Sequence, residues 1–391
     1  MEFGYNEEQE KFRKELNDWL DENIPADIQF PAELEELDDE TYAFASEFRR
    51  KLAAKGWLHP SYPKEYGGAA LTYDQLVVYQ EVFSSRTVPT VYDLGGLAAV
   101  GLLALGTEEQ KNKWLTKITR GEIETWQCFT EPEAGTDLAG LSTRAIQQEN
   151  GDFLMNGQKI YVGGGRMSDY LYVLAVTNPE APRHQNISAF LVKADTPGIT
   201  RDQLQPIMGA NKNAIYFEDV HVPAECMLGE LHKGWAFAQV SLAGERGMFV
   251  NLRVHTLARQ ILDYLKTAKR GDSRLVDDPH VRELVLDLYI ESRIGKLWFE
   301  RSNWKSAHKV PAFYEGPQNS LWNKTFGPKL AITMFNILGP LAHITDPEWV
   351  ILKGKIEHQQ RAGLMTHGGG TPEVQRLNMA RALGLPGLRR R

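Results

Sequence analysis

A carboxylate at Glu245 interrupts an otherwise apolar stripe. Ala238, Leu242, Glu245, Phe249 and Leu252 recur at spacings of four and three, which puts them on one face of a helix. Apolar surroundings disfavour the charged carboxylate and raise its pKa toward values useful for taking a proton from a substrate. The same pattern also fits a buried glutamate paired with Arg246 or Arg253. A second candidate base is His367, which lies two residues before Gly369 and could titrate near neutrality. A lone loop histidine is more often structural. A third cluster is Phe129-Thr130-Glu131-Pro132-Glu133-Ala134-Gly135-Thr136-Asp137, where a small hydroxyl and a glycine leave backbone amides open to a close-lying ligand. Standing alone, that segment reads better as a polar turn.

The elements that must carry these groups fall into three runs. Residues 1–125 read as helices, with Asn6 as N-cap and Gln9 placed to reach back, and with Thr107-Glu108-Glu109-Gln110 repeating the device. The helix opened by Thr107 carries Trp114, Leu115 and Ile118 on one face and stops near Gly121. Residues 126–230 read as strands. Asn156-Gly157 predicts a tight hairpin turn between 153–155 and 159–161, and β-rich runs follow at 170–176, 187–192 and 214–222. In 231–391 the helical period returns, interrupted by Asp277-Asp278-Pro279 and by Gly368-Gly369-Gly370. With no internal repeat or low-complexity linker, the three regions are expected to pack tightly.

The chain of 391 residues exceeds what one hydrophobic core organises, and 42% apolar with 24% charged residues is ordinary globular composition. A net charge of −7 argues against a nucleic-acid partner, and Arg389, Arg390 and Arg391 read as a frayed tail. Cys128 and Cys226 alone support neither a disulfide scaffold nor a thiolate metal site. The opening Met-Glu-Phe-Gly-Tyr lacks the features of a signal peptide, and the most apolar stretch, 94–105, is too short to span a bilayer and reads as a buried helix. A cytoplasmic protein without a membrane span or metal is expected.

Four ordered segments carry a family resemblance. The segment 129–137 resembles the Thr-Glu-Pro-x-x-Gly-Ser/Thr-Asp stretch of acyl-CoA dehydrogenases. Asn156-Gly157-Gln158-Lys159-Ile160-Tyr161-Val162 and Phe217-Glu218-Asp219-Val220-His221-Val222-Pro223 resemble later strands of the same family. Gly370-Thr371-Pro372-Glu373-Val374-Gln375-Arg376, followed by Ala380-Arg381-Ala382-Leu383-Gly384-Leu385-Pro386, resembles its flavin-contacting ending. The resemblance implies a mainly α fold with a central β-barrel: an N-terminal helical domain, a middle β-barrel and a C-terminal four-helix bundle. It also implies FAD bound at subunit contacts of dimers or tetramers. Phe129, Thr130, Gly135, Thr136 and Tyr161 would line the flavin, with Thr371 and Glu373 touching its neighbouring part and Asn336 and Gly339 contacting the cofactor from the position of a customary glutamine and glycine. Tyr161 stands where many relatives have tryptophan; a core tyrosine is an equally good reading of it.

Most members of that family place a catalytic glutamate directly before Gly-Thr in the C-terminal loop, a position held here by Gly369. A smaller group places it on the first C-terminal helix before an arginine, as in Glu245-Arg246. The resemblance therefore favours Glu245 as base over His367, with the Gly369 backbone N–H left to bind the thioester carbonyl and Thr136 and Arg246 to touch substrate. Departures from the pattern are Gly163 in place of a hydroxyl residue, Asn336 in place of glutamine, and only a loose substitute, Lys269-Arg270-Gly271-Asp272, for an Arg-x-x-Phe-Gly segment. With Asp278-Pro279-His280-Val281-Arg282, these departures resemble members acting on bulky acyl groups such as steroid side chains, some of them heterotetramers of paralogous subunits. The expected activity is α,β-dehydrogenation of an acyl-CoA, with electrons passing to an electron-transfer flavoprotein. The alternative is a non-catalytic or half-site partner subunit of such an enzyme.

Overall fold

A computed structural model describes residues 4–25, 38–86, 88, 96–206, 211–245, 250–363 and 366–385, leaving aside the side chains of 243–245, 250, 251 and 253. The chain opens with helices α1 (Glu7–Asn23), α2 (Asp39–Ala54), α3 (Tyr73–Ser85) and α4 (Gly96–Leu105). Asn6 caps α1 as expected: its side chain accepts from the Gln9 N–H at 2.8 Å, while the Gln9 side chain accepts from the Asn6 N–H at 2.9 Å. Phe12, Leu16 and Leu20, one turn apart, bury that helix against α2 and α3. Thr107 caps the next element in the same way, but the stretch after it is not one regular helix. It runs as α5 (Glu108–Gln110), a π turn (Lys111–Leu115) and α6 (Thr116–Thr119), which together bury Trp114, Leu115 and Ile118.

Eight strands then form one sheet: β1 (Thr125–Cys128), β2 (Arg144–Gln147), β3 (Phe153–Val162), β4 (Tyr170–Val176), β5 (Ile187–Lys193), β6 (Ile199–Leu204), β7 (Lys212–Val222) and β8 (Met227–Leu228). Their order is β6-β7-β3-β2-β4-β5-β8, with β1 parallel to β4. The central strands are buried on both sides. Leu171, Val173 and Phe190 join Phe153, Met155, Ile215 and Phe217 in one inner cluster. Tyr172, Leu174, Ala189 and Leu191 face the opposite way, against the helices. Alternation of this kind explains why β4 and β5 read as unbroken apolar runs. Because one face of six strands meets in a single cluster, the sheet curls around its own core, although among the described residues no ladder joins β6 to β8.

The hairpin predicted at Asn156-Gly157 is corrected by this sheet, because β3 runs straight through both residues. The register against β7 slips there instead, making a bulge with Gly157 at φ 143°. The Asn156 side chain donates to Asp219 Oδ1 at 3.0 Å and accepts from the Asp219 N–H at 2.9 Å, bridging the slip. A Cβ on Gly157 would stand 2.6–2.8 Å from Thr143, so the glycine serves close strand packing rather than a chain reversal.

The remaining chain is helical: α7 (Gly234–Glu245), α8 (Val250–Thr267), a short ribbon of β9 (Lys269–Arg270) with β10 (Ser273–Arg274), then α9 (Pro279–Ala307), α10 (Glu315–Leu338), α11 (Lys355–Ala362) and α12 (Pro372–Ala382). Asp278 caps α9 with Pro279 in its first turn, a position where the missing N–H costs nothing. Helices α8, α9 and α10 share a core of Ile261, Leu265, Val285, Trp322 and Phe326. Among the described residues no helix is long and apolar enough to cross a membrane, and no group of three metal-ligating side chains is present.

Charges tie the first helices to the last. Glu81 on α3 lies 3.1 Å from Arg13 and 3.2 Å from Lys296 on α9. Beside them His255 on α8 is buried and meets Ser292 at 3.0 Å. Burial, and then Lys296, Arg293 and Arg259, bring its imidazole down to about 4. In the unfolded chain the same group titrates near 6.5, so between these values the unfolded state holds the extra proton. Folding stability is therefore expected to be full above about pH 6.5 and to fall toward pH 4, by on the order of 1–3 kcal/mol from this group. Urea unfolding across that range checks it: His255→Gln should flatten the slope, and an unchanged slope would assign the acid sensitivity elsewhere.

Candidate active site

The 129–137 segment is held by a buried ion pair. Where β1 ends, Glu131 turns inward and meets Lys159 of β3 at 2.8 Å, both side chains essentially without solvent contact. Glu131 also accepts from the Ser142 N–H at 2.6 Å, the Ser142 hydroxyl at 2.8 Å and the Thr143 N–H at 2.9 Å. Lys159 donates further to the Phe129 carbonyl at 3.2 Å. Burial acts to raise the Glu131 carboxyl, but Lys159 and these donors overcome it and hold it at about 2. The loop is also stitched to β3 by the Ile160 N–H, which donates to the Thr130 carbonyl at 2.9 Å.

The five residues expected along the flavin divide into supports and exposed groups. Phe129 is buried, packing edge-on against Tyr172 at 4.8 Å, and so supports the loop from beneath. Gly135 and Thr136 are exposed. A Cβ on Gly135 would meet nothing nearer than Thr130 Cγ2 at 3.9 Å, so the chain itself does not need a glycine there; the space before it is open to a ligand. Tyr161 is 60% exposed, with φ 59° at the second register slip of β3. Its ring is available to stack, which sets aside the reading of a core tyrosine. Gly163 follows at φ 54° over the Trp126 indole, which a Cβ would approach to 2.1 Å. Asn213 on β7 secures this strand end by donating to the carbonyls of Val162 at 3.0 Å and Gly164 at 2.7 Å.

The C-terminal loop is built around α12. Thr371 caps the helix, its hydroxyl accepting from the Val374 N–H at 3.3 Å, and Glu373 is exposed 3.4 Å from Arg376. The fully buried Gln375 donates to the Gly369 carbonyl at 2.9 Å and holds the left-handed Gly369-Gly370 turn, while Lys324 donates to the Gly368 carbonyl. The next turns of α12 close a cleft of about 410 Å³ with the middle region. Thr136, Arg183, His184, Trp235, Asn378 and Arg381 line it. Arg183 meets Asp137 at 2.8 Å on its rim, and His184 tilts over the Trp235 ring at 4.5 Å. This cleft brings Thr136 together with the helix that Thr371 caps.

The other predicted residues are spread more widely. Glu245 is the last residue of α7, a helix pinned one turn earlier by Ser241, whose hydroxyl meets the Tyr172 hydroxyl at 3.1 Å. The Glu245 side chain, Arg246 and Phe249 lie outside the described residues. His367 is exposed on its loop. Asn336 and Gly339 stand at the end of α10, where Arg270 of the ribbon donates to the Ile337 carbonyl. That groups the loose arginine substitute with Asn336 and Gly339, and among the described residues no hydrogen bond joins this group to Tyr161 or Thr136. Sequence reasoning did not single out Lys159, Asn213, Arg183 or Trp235. Lys159 had a usable signal, a lysine inside an otherwise strand-like run; the others had none.

The exposed Tyr161 ring at the end of β3, the open space before Gly135 and the cleft between Thr136 and α12 are the accessible surfaces of this region. Three domain models of one enzyme family match in order: the acyl-CoA dehydrogenase N-terminal domain over residues 6–122, its middle domain over 127–220 and its C-terminal domain over 232–384. The chain belongs to the acyl-CoA dehydrogenase family, oxidoreductases that act on acyl-CoA. It is 30% identical to acyl-CoA dehydrogenase FadE29 of Mycobacterium tuberculosis across 86% of this chain and 87% of that one. Acyl-CoA dehydrogenase FadE26 of the same organism is 29% identical across 99% of both chains. In structure the chain is similar to the ChsE4-ChsE5 complex of Mycobacterium tuberculosis, with a TM-score of 0.83 and 27% identity over 99% of this chain and 100% of that one. The Tcur3481-Tcur3483 steroid ACAD gives 0.83 and 26% over the same shares.

Proposed function

We propose that the chain oxidises the α,β carbons of a bulky acyl-CoA thioester, with Glu245 taking the α-proton. The supporting observation is the cleft in which Thr136 of the middle region faces α12, with Arg183 and Arg381 offering cations to a phosphate-bearing substrate. FAD is the cofactor this family uses, and when bound it supplies the acceptor for the β-hydride. The exposed Tyr161 ring, the open space before Gly135 and the N-terminal turn of α12 fit a flat cofactor with an anionic tail. On this reading Thr130, Gly135, Thr136 and Tyr161 hold the ring system, and Thr371 and Glu373 its neighbouring part. Asn336 and Gly339 then serve a cofactor site shared across a subunit contact. The Gly369 N–H would bind the thioester carbonyl and stabilise charge there as the α-proton leaves, with Thr136 and Arg246 also on the substrate.

The curled sheet is read as the family's barrel, with domains at 1–125, 126–230 and 231–391. Electron-transfer flavoprotein is the proposed acceptor. A steroid side chain is the favoured acyl group, because the similar structures include one described as a steroid ACAD and the departures at Gly163 and Asn336 resemble such members. Pairing with a paralogous chain is the second reading, motivated by the two-chain ChsE4-ChsE5 complex. An anaerobic panel of short, long, branched, aromatic and steroid acyl-CoAs tests the assignment. Bleaching of the flavin absorbance by the steroid or branched thioesters is expected. Preference for short linear chains would overturn the substrate class. Colourless protein that takes up no FAD, alone or with a paralogue, would overturn the enzyme itself.

A further inference from the structure

Three successive glycines, Gly368, Gly369 and Gly370, precede α12. Glycine has the most backbone freedom to lose on folding, and Gly369 and Gly370 both take positive φ, 65° and 94°. Such a turn keeps one shape only when groups outside it hold it, and two side chains reach in from different helices. Lys324 of α10 donates from Nζ to the Gly368 carbonyl. Gln375 of α12 donates from Nε2 to the Gly369 carbonyl at 2.9 Å and the Gly370 carbonyl at 3.4 Å. Both peptide groups that flank the Gly369 Cα are therefore held at their oxygens.

The two side chains rise from firm bases. Lys324 leaves α10 between Trp322 and Phe326, which are buried and stack at 4.7 Å. Gln375 is fully buried, and a Cβ on Gly370 would come within 2.9 Å of its Nε2, so the amide lies flush on the turn. In a trans peptide the carbonyl and the N–H point in opposite directions in one plane, so a donor on the Gly368 oxygen fixes the direction of the Gly369 N–H. A positive charge at that oxygen also draws electron density along the amide and makes the N–H at its other end a stronger donor. Among the described residues no acceptor takes the Gly369 N–H.

We propose that Lys324 is a positioning residue for the reaction. Its ammonium, acting through the 368–369 peptide, orients and strengthens the Gly369 N–H for the negative charge that gathers on the thioester oxygen as the α-proton leaves. Gln375 holds the next peptide and keeps the turn from rotating away. The proposal rests on the assignment of that N–H to the thioester carbonyl. Because charge on the oxygen is greatest in the transition state, the effect belongs to the chemical step more than to binding.

Lys324→Met keeps the aliphatic stem and removes only the charge. Its limiting rate of anaerobic flavin reduction should fall at least about tenfold, while the thioester dissociation constant stays within about threefold of the parent. A β-thia acyl-CoA, in which sulfur replaces the β-methylene so that no hydride can leave, gives a second readout. Isotope-edited infrared spectroscopy of its bound carbonyl should show the stretch lowered in the parent and lowered less in Lys324→Met. Cys128 and Cys226 are buried while position 324 is partly exposed, so Lys324→Cys offers one accessible thiol. Aminoethylation, which rebuilds an ammonium at the reach of lysine, should restore rate and stretch, and propylation should restore neither. A Lys324→Met enzyme with the parent's rate and stretch would overturn the proposal, as would equal recovery with the propyl group. A parent in which the stretch stays at its value in water would instead remove the Gly369 assignment, and this proposal with it.

Discussion

Glu245→Gln is expected to abolish reduction of the bound flavin by acyl-CoA, with a loss of at least about 10²–10⁴-fold, while FAD and thioester binding stay near the parent values. Glutamine keeps the shape and hydrogen-bonding reach of the side chain but cannot accept the α-proton, so the loss should fall on the chemical step. The backbone gives the position its definition: α7 ends at Glu245, and one turn earlier Ser241 is held to Tyr172 of the sheet. His367→Ala should be mild, because that residue is exposed on its loop. Stopped-flow reduction under anaerobic conditions measures both. Parent-like reduction by Glu245→Gln together with a dead His367→Ala would transfer the role to the histidine and return the glutamate to a structural one.

The second large effect concerns the ion pair under the cofactor loop. Glu131→Gln leaves Lys159 charged and buried without its counter-charge, and removing one partner of such a pair costs about 3–5 kcal/mol. Urea denaturation should show that loss, and the purified variant should retain less FAD, since the pair spans the loop carrying Gly135 and Thr136 and the strand carrying Tyr161. Lys159→Met combined with Glu131→Gln should cost less than the two single changes added together, because neither variant then buries an unpaired charge. A Glu131→Gln protein within about 1 kcal/mol of the parent would show that the backbone donors, not the pair, hold the loop. With the carboxyl held at about 2, the contribution is complete above the ordinary carboxylate range and is lost progressively as pH falls from 4.5 toward 2. Stability measured at mildly acid pH should therefore report the buried histidines His255 and His59, both brought down to about 4, rather than Glu131.

How much of this was legible in the sequence depended on how local each signal was. Asn6 with Gln9 and Thr107 with Gln110 are complete devices within four residues, and both caps formed as read. The runs at 170–176 and 187–192 were found to within a residue because strands buried on both faces leave no polar gaps. Asn156-Gly157 misled because a hairpin turn and a bulge ask the same thing of the backbone, and only Thr143 and Asp219, distant in sequence, decide between them. The short strands β2 and β6 were missed since most of their residues are exposed and carry no apolar alternation. At the site, the loop segments carried recognisable residue types, but the cleft did not. Thr136, Arg183, Trp235 and Arg381 come from four separate stretches and meet only through packing.

Gly163 and Trp126 show how such packing limits change. The indole occupies the volume a side chain at 163 would need, so the missing hydroxyl at this strand end is not a vacancy that one substitution can fill. Restoring it requires a smaller residue at 126 first, and that step opens a void in the sheet's inner core, to which the indole belongs. The two positions are thus locked into paired exchange. A protein with a side chain added at 163 alone, or with the indole removed at 126 alone, is expected to be less stable than one carrying the two changes together.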